Sequence, residues 1–145
     1  YTPAVNLVFA LDEALKMMKE EGLNNIFLRH NKHKLAMSNA VKALNLKLFA
    51  DEKYLSPSIT AIKTEGIDAE EFRKTIKNNF DILLAGGQDH LKGKIFRVGH
   101  LGYVNDRDII TVVSAISNTL LKLGKITAQQ AGEALVIASK YLEGN

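Results

Sequence analysis

Arg97 is the residue whose type fits its surroundings least. It lies in GKIFRVGHLG, residues 93 to 102, where Ile95, Phe96 and Val98 have the branched and aromatic character of a strand and glycines close both ends. A guanidinium keeps its charge at any physiological pH, so an arginine facing inward needs a carboxylate, a phosphate or a water-filled cleft to face. Two readings stay open on the residues alone. One is an ion pair to an acidic residue of a neighbouring strand. The other is a planar fork that binds a substrate carboxylate through two parallel hydrogen bonds.

Other chemistry-bearing residues have plainer explanations. His30 and His33 have the i, i+3 spacing of two metal ligands, but no third ligand is evident nearby, and a hydrogen-bonded core histidine is the expectation for His30. His90 and His100 flank the Arg97 stretch without a serine or carboxylate in a recognisable nucleophile arrangement, and both read as loop residues. The glycine-rich AGGQDHLKG fails as a phosphate loop, because no Lys-Ser or Lys-Thr follows its last glycine and it leads into a strand. It reads instead as a turn that lets backbones approach closely. Asp106 and Asp108 fit the first turn of a helix, where negative charge is favoured.

The elements that must position these residues follow from periodicity and end signals. A first helix is expected over residues 3–21, with Thr2 as its cap, Pro3 in its first turn, Val8, Leu11, Leu15 and Met18 at helical spacing, and Gly22 as the stop. A second is expected from about Asn25 to Leu44 with a stripe of Phe27, His30, Met37, Val41 and Leu44. Strands are expected at LKLFA and SITAIK, and a third helix at AEEFRKTIKNNF with Asp68 and Glu71 as a capping pair. DILLAGG and GKIFRVG read as two further strands. Asn105 can cap a fourth helix with the stripe Ile109, Val113, Ile116, Leu120 and Leu123. Thr127 and Gln130 form a capping box for a fifth, with Ala131, Leu135, Ala138 and Leu142 on one face.

The resulting class is α+β, a short, mainly antiparallel sheet with helices packed on one face. If Phe96 and Val98 point toward those helices, the twofold alternation of a strand sends Arg97 to the opposite face.

A chain of 145 residues fits one domain, and 46% hydrophobic with 24% charged residues is the composition of a globular protein. Cysteine is absent, so disulfides, thiolate metal sites and cysteine nucleophiles are excluded within this chain. No apolar run approaches the roughly 20 residues of a membrane helix, and no signal peptide is recognisable. A cytoplasmic location is the expectation. The formal charge is +3, but lysines and acids alternate along the chain, and the basic RHNKHK at 29–34 lacks interleaved aromatics, so nucleic acid is not the expected partner.

TPAVNLVFALDEALKMMKEEGL followed by RH, then DILLAGGQDHLKGKIFRVGHLG, resembles the C-terminal part of class V aminotransferases, from Thr2 to about Gly124. These are pyridoxal-phosphate enzymes of the aspartate-aminotransferase fold type, among them alanine-glyoxylate and serine-glyoxylate (serine-pyruvate) aminotransferases. Some microbial relatives carry the label soluble hydrogenase subunit. The resemblance implies a single C-terminal small domain over residues 1–145, opened by an interdomain helix at 3–21. Full members are well over twice as long, and the large domain that anchors the cofactor lies outside this chain.

By the same resemblance, Arg97 is the arginine that salt-bridges the α-carboxylate of the amino- or keto-acid substrate, and Thr2 a threonine that reaches the cofactor phosphate of the partner subunit of a homodimer. The parent would transfer an amino group from alanine or serine to glyoxylate or pyruvate with pyridoxal 5'-phosphate, and this segment alone would be inactive. Two alternatives remain. A lyase or desulfurase of the same family would need the same arginine, though a desulfurase also needs a loop cysteine that this chain lacks. A non-catalytic interaction domain would need neither.

Overall fold

In a computed structural model, which describes residues 2–143, the helical patterns become α1 (Val5–Glu21), α2 (Leu23–Ala43), α3 (Ala69–Phe80), α4 (Asp106–Lys122) and α5 (Ala128–Glu143). The strands are β1 (Lys47–Leu48), β2 (Ile59–Lys63), β3 (Ala85–Gly86) and β4 (Ile95–Gly99). Their order along the chain is the expected one. The end signal at α3 forms by half: the Asp68 carboxylate accepts from the amides of Glu70 and Glu71 at 2.8 and 3.2 Å, but the Glu71 side chain turns to Lys74. At α4, the Asn105 side chain accepts from the Arg107 and Asp108 amides while Asp108 accepts from the Asn105 amide at 2.8 Å, a full capping box. Thr127 and Gln130 form the same reciprocal arrangement before α5. Asn105→Ala is expected to cost about 1 kcal/mol, read as a lower denaturant midpoint at unchanged slope.

The sheet is antiparallel throughout, in the order β1-β2-β4-β3. Opposite residues share a face, so the pairs Ile62 with Phe96 and Thr60 with Val98 define one side. All four are buried. They pack with Met37 and Val41 of α2, Phe72 and Ile76 of α3, and Ile109, Val113, Ile116 and Leu120 of α4 into one core, which α5 joins through Ala134, Ala138 and Leu142. The Phe72 and Phe96 rings lie 5.2 Å apart at 34°. The helices thus cover one face of the sheet.

Several boundaries and faces differ from expectation. α1 starts at Val5, with Ala4 as its cap and no capping side chain, because the Val5 amide already donates to the Pro3 carbonyl at 2.8 Å. Thr2 is therefore exposed and caps nothing. No residue of α1 is buried; its stripe of Val8, Leu11, Leu15 and Met18 faces solvent. On α2, Phe27 is 65% exposed, and the buried face runs instead through His30, His33, Met37 and Val41. α4 ends at Lys122, which leaves Leu123 half exposed beyond the core. β1 and β3 are only two residues long: Asp81 takes the left-handed conformation as the cap of α3, and the chain re-enters the sheet at Ala85. Among the described residues no helix is long and apolar enough to cross a membrane.

Candidate functional site

Arg97 lies at the centre of the uncovered sheet face. It is paired across the sheet with Ala61 on β2 and Ala85 on β3. Two methyl side chains beside a guanidinium leave it room on both sides. Its Nε donates to the Gly86 carbonyl at 2.9 Å, which fixes the plane of the group. Among the described residues neither terminal nitrogen meets an acceptor and no carboxylate lies within ion-pair distance. The ion-pair reading of Arg97 therefore gives way to a half-buried fork oriented by a backbone carbonyl.

Two further features fit an anion here. Lys47 and Lys63 are paired across β1 and β2, and Lys63 is paired with Ile95, so both share the face of Arg97. Lys47 is bonded to Glu65 at 2.7 Å, which leaves the face with surplus positive charge. The hydrogen-bonded lysine also holds the Glu65 carboxyl below its ordinary range.

The loop from Gly86 to Gly93 explains why the Arg97 partner is well placed. A Cβ built on Gly87 would lie 2.1 Å from the Leu91 carbonyl oxygen. Only glycine lets the backbone fold this tightly, and that fold presents the Gly86 carbonyl to Arg97. The close-approach reading of AGGQDHLKG holds, while His90 sits exposed in the 3-10 turn Asp89–Leu91.

The remaining histidines are structural. His33 is fully buried and bonds through Nε2 to the Asp106 carboxylate at 2.9 Å, which Lys32 also holds at 2.8 Å. His30 Nδ1 meets the Ile26 carbonyl at 2.8 Å. His100 is the loop residue expected, just past β4, but it is fully buried and bonds to the Thr60 hydroxyl at 2.9 Å. Asp106 is thus more than a first-turn acid. Burial works to raise its carboxyl, but Lys32 and His33 outweigh that and hold it below the ordinary range.

Burial lowers His33 despite Asp106, and burial together with the charge of His33 pushes His100 down to about 4. Because the unfolded imidazole titrates near 6.5, the unfolded chain binds more protons between these values. Stability from His100 is complete above about pH 6.5 and is lost as pH falls toward 4. In urea titrations from pH 7 to 4, His100→Gln is expected to flatten that loss.

Arg29, which the sequence reading left within a basic stretch, joins three elements. Its Nε and Nη2 donate to the two Glu21 oxygens at 2.6 and 2.8 Å, and Nη1 donates to the carbonyls of Gly102 and Val104, both at 2.9 Å. The bond to Arg29 holds the Glu21 carboxyl low, and Glu21 in turn raises Arg29. Beside this pair runs an apolar groove of about 660 Å³ between α1, α2 and the β4–α4 loop, lined by Met17, Met18, Ile26, Leu101 and Tyr103 among others.

No protein-family model matches the chain. It is 52% identical over 142 residues to a protein of Synechococcus named soluble hydrogenase, small subunit, covering 98% of this chain and 37% of that one. It is 34% identical over 148 residues to serine–glyoxylate aminotransferase of Methylorubrum extorquens, covering all of this chain and 36% of that one. The crystal structure of ureidoglycine-glyoxylate aminotransferase from Bacillus subtilis matches the fold with a TM-score of 0.88 at 31% identity, over 97% of this chain and 37% of that one. The chain spans little more than a third of the length of these relatives. Its homologues and structural neighbours are thus class V aminotransferases, whose C-terminal part it matches in sequence and fold.

Proposed function

We propose that this chain is the small domain of a longer pyridoxal-phosphate-dependent aminotransferase and that Arg97 binds the substrate's α-carboxylate. The observation that carries the reading is the Arg97 fork, held through Nε by Gly86 and open at both terminal nitrogens on an uncovered, cationic sheet face. A carboxylate is the planar anion that matches two parallel N–H donors. Glyoxylate stands in the names of both aminotransferases above and serine in one of them, which supports glyoxylate as acceptor and serine as donor; pyruvate as acceptor and alanine as donor complete the reading.

The residues fit the substrate rather than the cofactor. Thr2 is exposed at the start of the described chain, free to contribute one hydroxyl to a phosphate site built elsewhere, and in this reading that site belongs to the partner subunit of a cytoplasmic homodimer. The cofactor, held by residues outside this chain, supplies the electron sink for the substrate's α-carbon. Arg97 fixes the carboxylate and so limits the directions in which the α-hydrogen can point. α1 is the interdomain helix, its apolar residues covered by the rest of the protein; the exposure of Leu7, Phe9, Leu11 and Leu15 supports this.

The test is the visible spectrum of the full-length protein with pyridoxal phosphate, before and after L-alanine or L-serine. Conversion of the bound cofactor to its amine form is expected. A protein that binds no cofactor, or whose cofactor no amino acid converts, would contradict the reading.

A further inference from the structure

α1 is joined to the body of the fold at very few points. A single residue, Gly22, ends α1 and begins α2, with φ at +82°, a conformation that favours glycine. Within the described residues no side chain of α1 is buried, so packing against this domain does little to set the direction of the helix. Asn25 Nδ2 donates across the joint to the Glu21 carbonyl at 2.8 Å, and Arg29 spans it more widely, its fork gripping the Glu21 carboxylate on the last turn of α1. Its third nitrogen grips the carbonyls of Gly102 and Val104 in the loop that leaves β4.

That loop begins one residue beyond the strand that carries Arg97. It is tied back to the residue before β2 by the His100 amide on the Ser58 carbonyl at 2.9 Å, and it ends at Asn105, the cap of α4. Its middle is otherwise loose, with Leu101 and Tyr103 70% and 82% exposed and Gly102 at φ +79°. The two carbonyls held by Arg29 therefore connect the entering helix to the exit of the Arg97 strand across 73 and 75 residues of sequence. One planar group with four engaged N–H directions defines an angle, where a lysine could only supply a point charge.

We infer that Arg29 is a positioning residue, which sets the angle between α1 and the sheet and thereby the place of the Arg97 fork relative to the residues that precede α1. The inference rests on the carboxylate role proposed for Arg97. Loosening this joint misplaces the carboxylate anchor without touching the anchor itself, and a misplacement of about 1 Å can cost up to roughly a hundredfold in rate.

The test uses the full-length protein with Arg29→Lys, Arg97→Lys and the double variant. Arg29→Lys is expected to raise KM for L-alanine roughly tenfold while the cofactor still binds and its absorbance is unchanged. In the Arg97→Lys background the same substitution is expected to add little, because the group it positions is already lost. Effects that multiply in full would show that Arg29 supports the fold generally, and would overturn the inference. So would an unchanged KM.

A second readout does not depend on activity. Spin labels at Asp12→Cys on α1 and Glu133→Cys on α5 are expected to give one narrow distance in the parent and a broadened or shifted distribution with Arg29→Gln. An unaltered distribution would overturn the proposal. If the distribution changes but Arg97→Lys leaves activity intact, the carboxylate reading fails and the positioning role fails with it.

Discussion

Arg97→Lys is expected to lower kcat/KM for L-alanine by roughly ten- to a hundredfold in the full-length protein, since hydrogen bonds to charged groups contribute about 1.5–3 kcal/mol each. Charge is kept, so the loss isolates geometry. A lysine ammonium extends from the same β4 position between Ala61 and Ala85, but it has no Nε to donate to Gly86 and no second prong for the other carboxylate oxygen. Because Arg97 pairs with no carboxylate of the described residues, the substitution leaves no charge unpaired and frees only the half-buried Gly86 carbonyl. Unfolding midpoints and cofactor absorbance are expected to stay near those of the parent, which separates a lost contact from a damaged fold.

Gly87→Ala is expected to have a large effect of a different kind. The added methyl would lie 2.1 Å from the Leu91 carbonyl oxygen and 3.0 Å from Ile95 Cγ1, the first of which is backbone that cannot rotate away. The loop from Gln88 to Leu91 must move, at a cost of about 3 kcal/mol, the upper end for overpacking a tight site. The Gly87 amide, which donates to the Ile95 carbonyl at 3.2 Å, moves with it. Next to it, the Gly86 carbonyl that orients Arg97 is displaced. Loss of stability and loss of L-alanine turnover should therefore appear together, unlike the separable effects of Arg97→Lys. Gly132→Ala provides the contrast: a Cβ there meets open space within α5, and the change is expected to stabilise the protein by about 0.5–1 kcal/mol.

The parts legible in the sequence were those set by neighbours along the chain. Asn105 with Asp108 and Thr127 with Gln130 are boxes of four residues, and they start α4 and α5 where the letters place them. Arg97 was legible because a fixed charge interrupts an apolar strand, and strand alternation was enough to put it on the uncovered face. Its anchoring by Gly86 was less legible, since a carbonyl presented by a tight loop leaves no side-chain signal beyond the glycines themselves.

What could not be read depended on distant partners. His33 is buried where Asp106, 73 residues away, meets its Nε2, and His100 where the Thr60 hydroxyl meets its ring. Arg29 was missed for the same reason: its acceptors are backbone carbonyls of the β4–α4 loop, and only Glu21, eight residues earlier across a glycine break, hinted at a bridge. α1 misled in the opposite direction. Its apolar spacing is real, yet nothing in the described residues buries it, and helical period alone does not say which body covers a stripe.

The central claim is that the substrate's carboxylate docks on Arg97, and propionate tests it most directly, being L-alanine without its amino group. In the full-length protein, propionate is expected to compete with L-alanine, and Arg97→Lys is expected to weaken that competition by roughly the factor lost for L-alanine itself. Equal inhibition of parent and variant by propionate would place the carboxylate elsewhere and contradict the account.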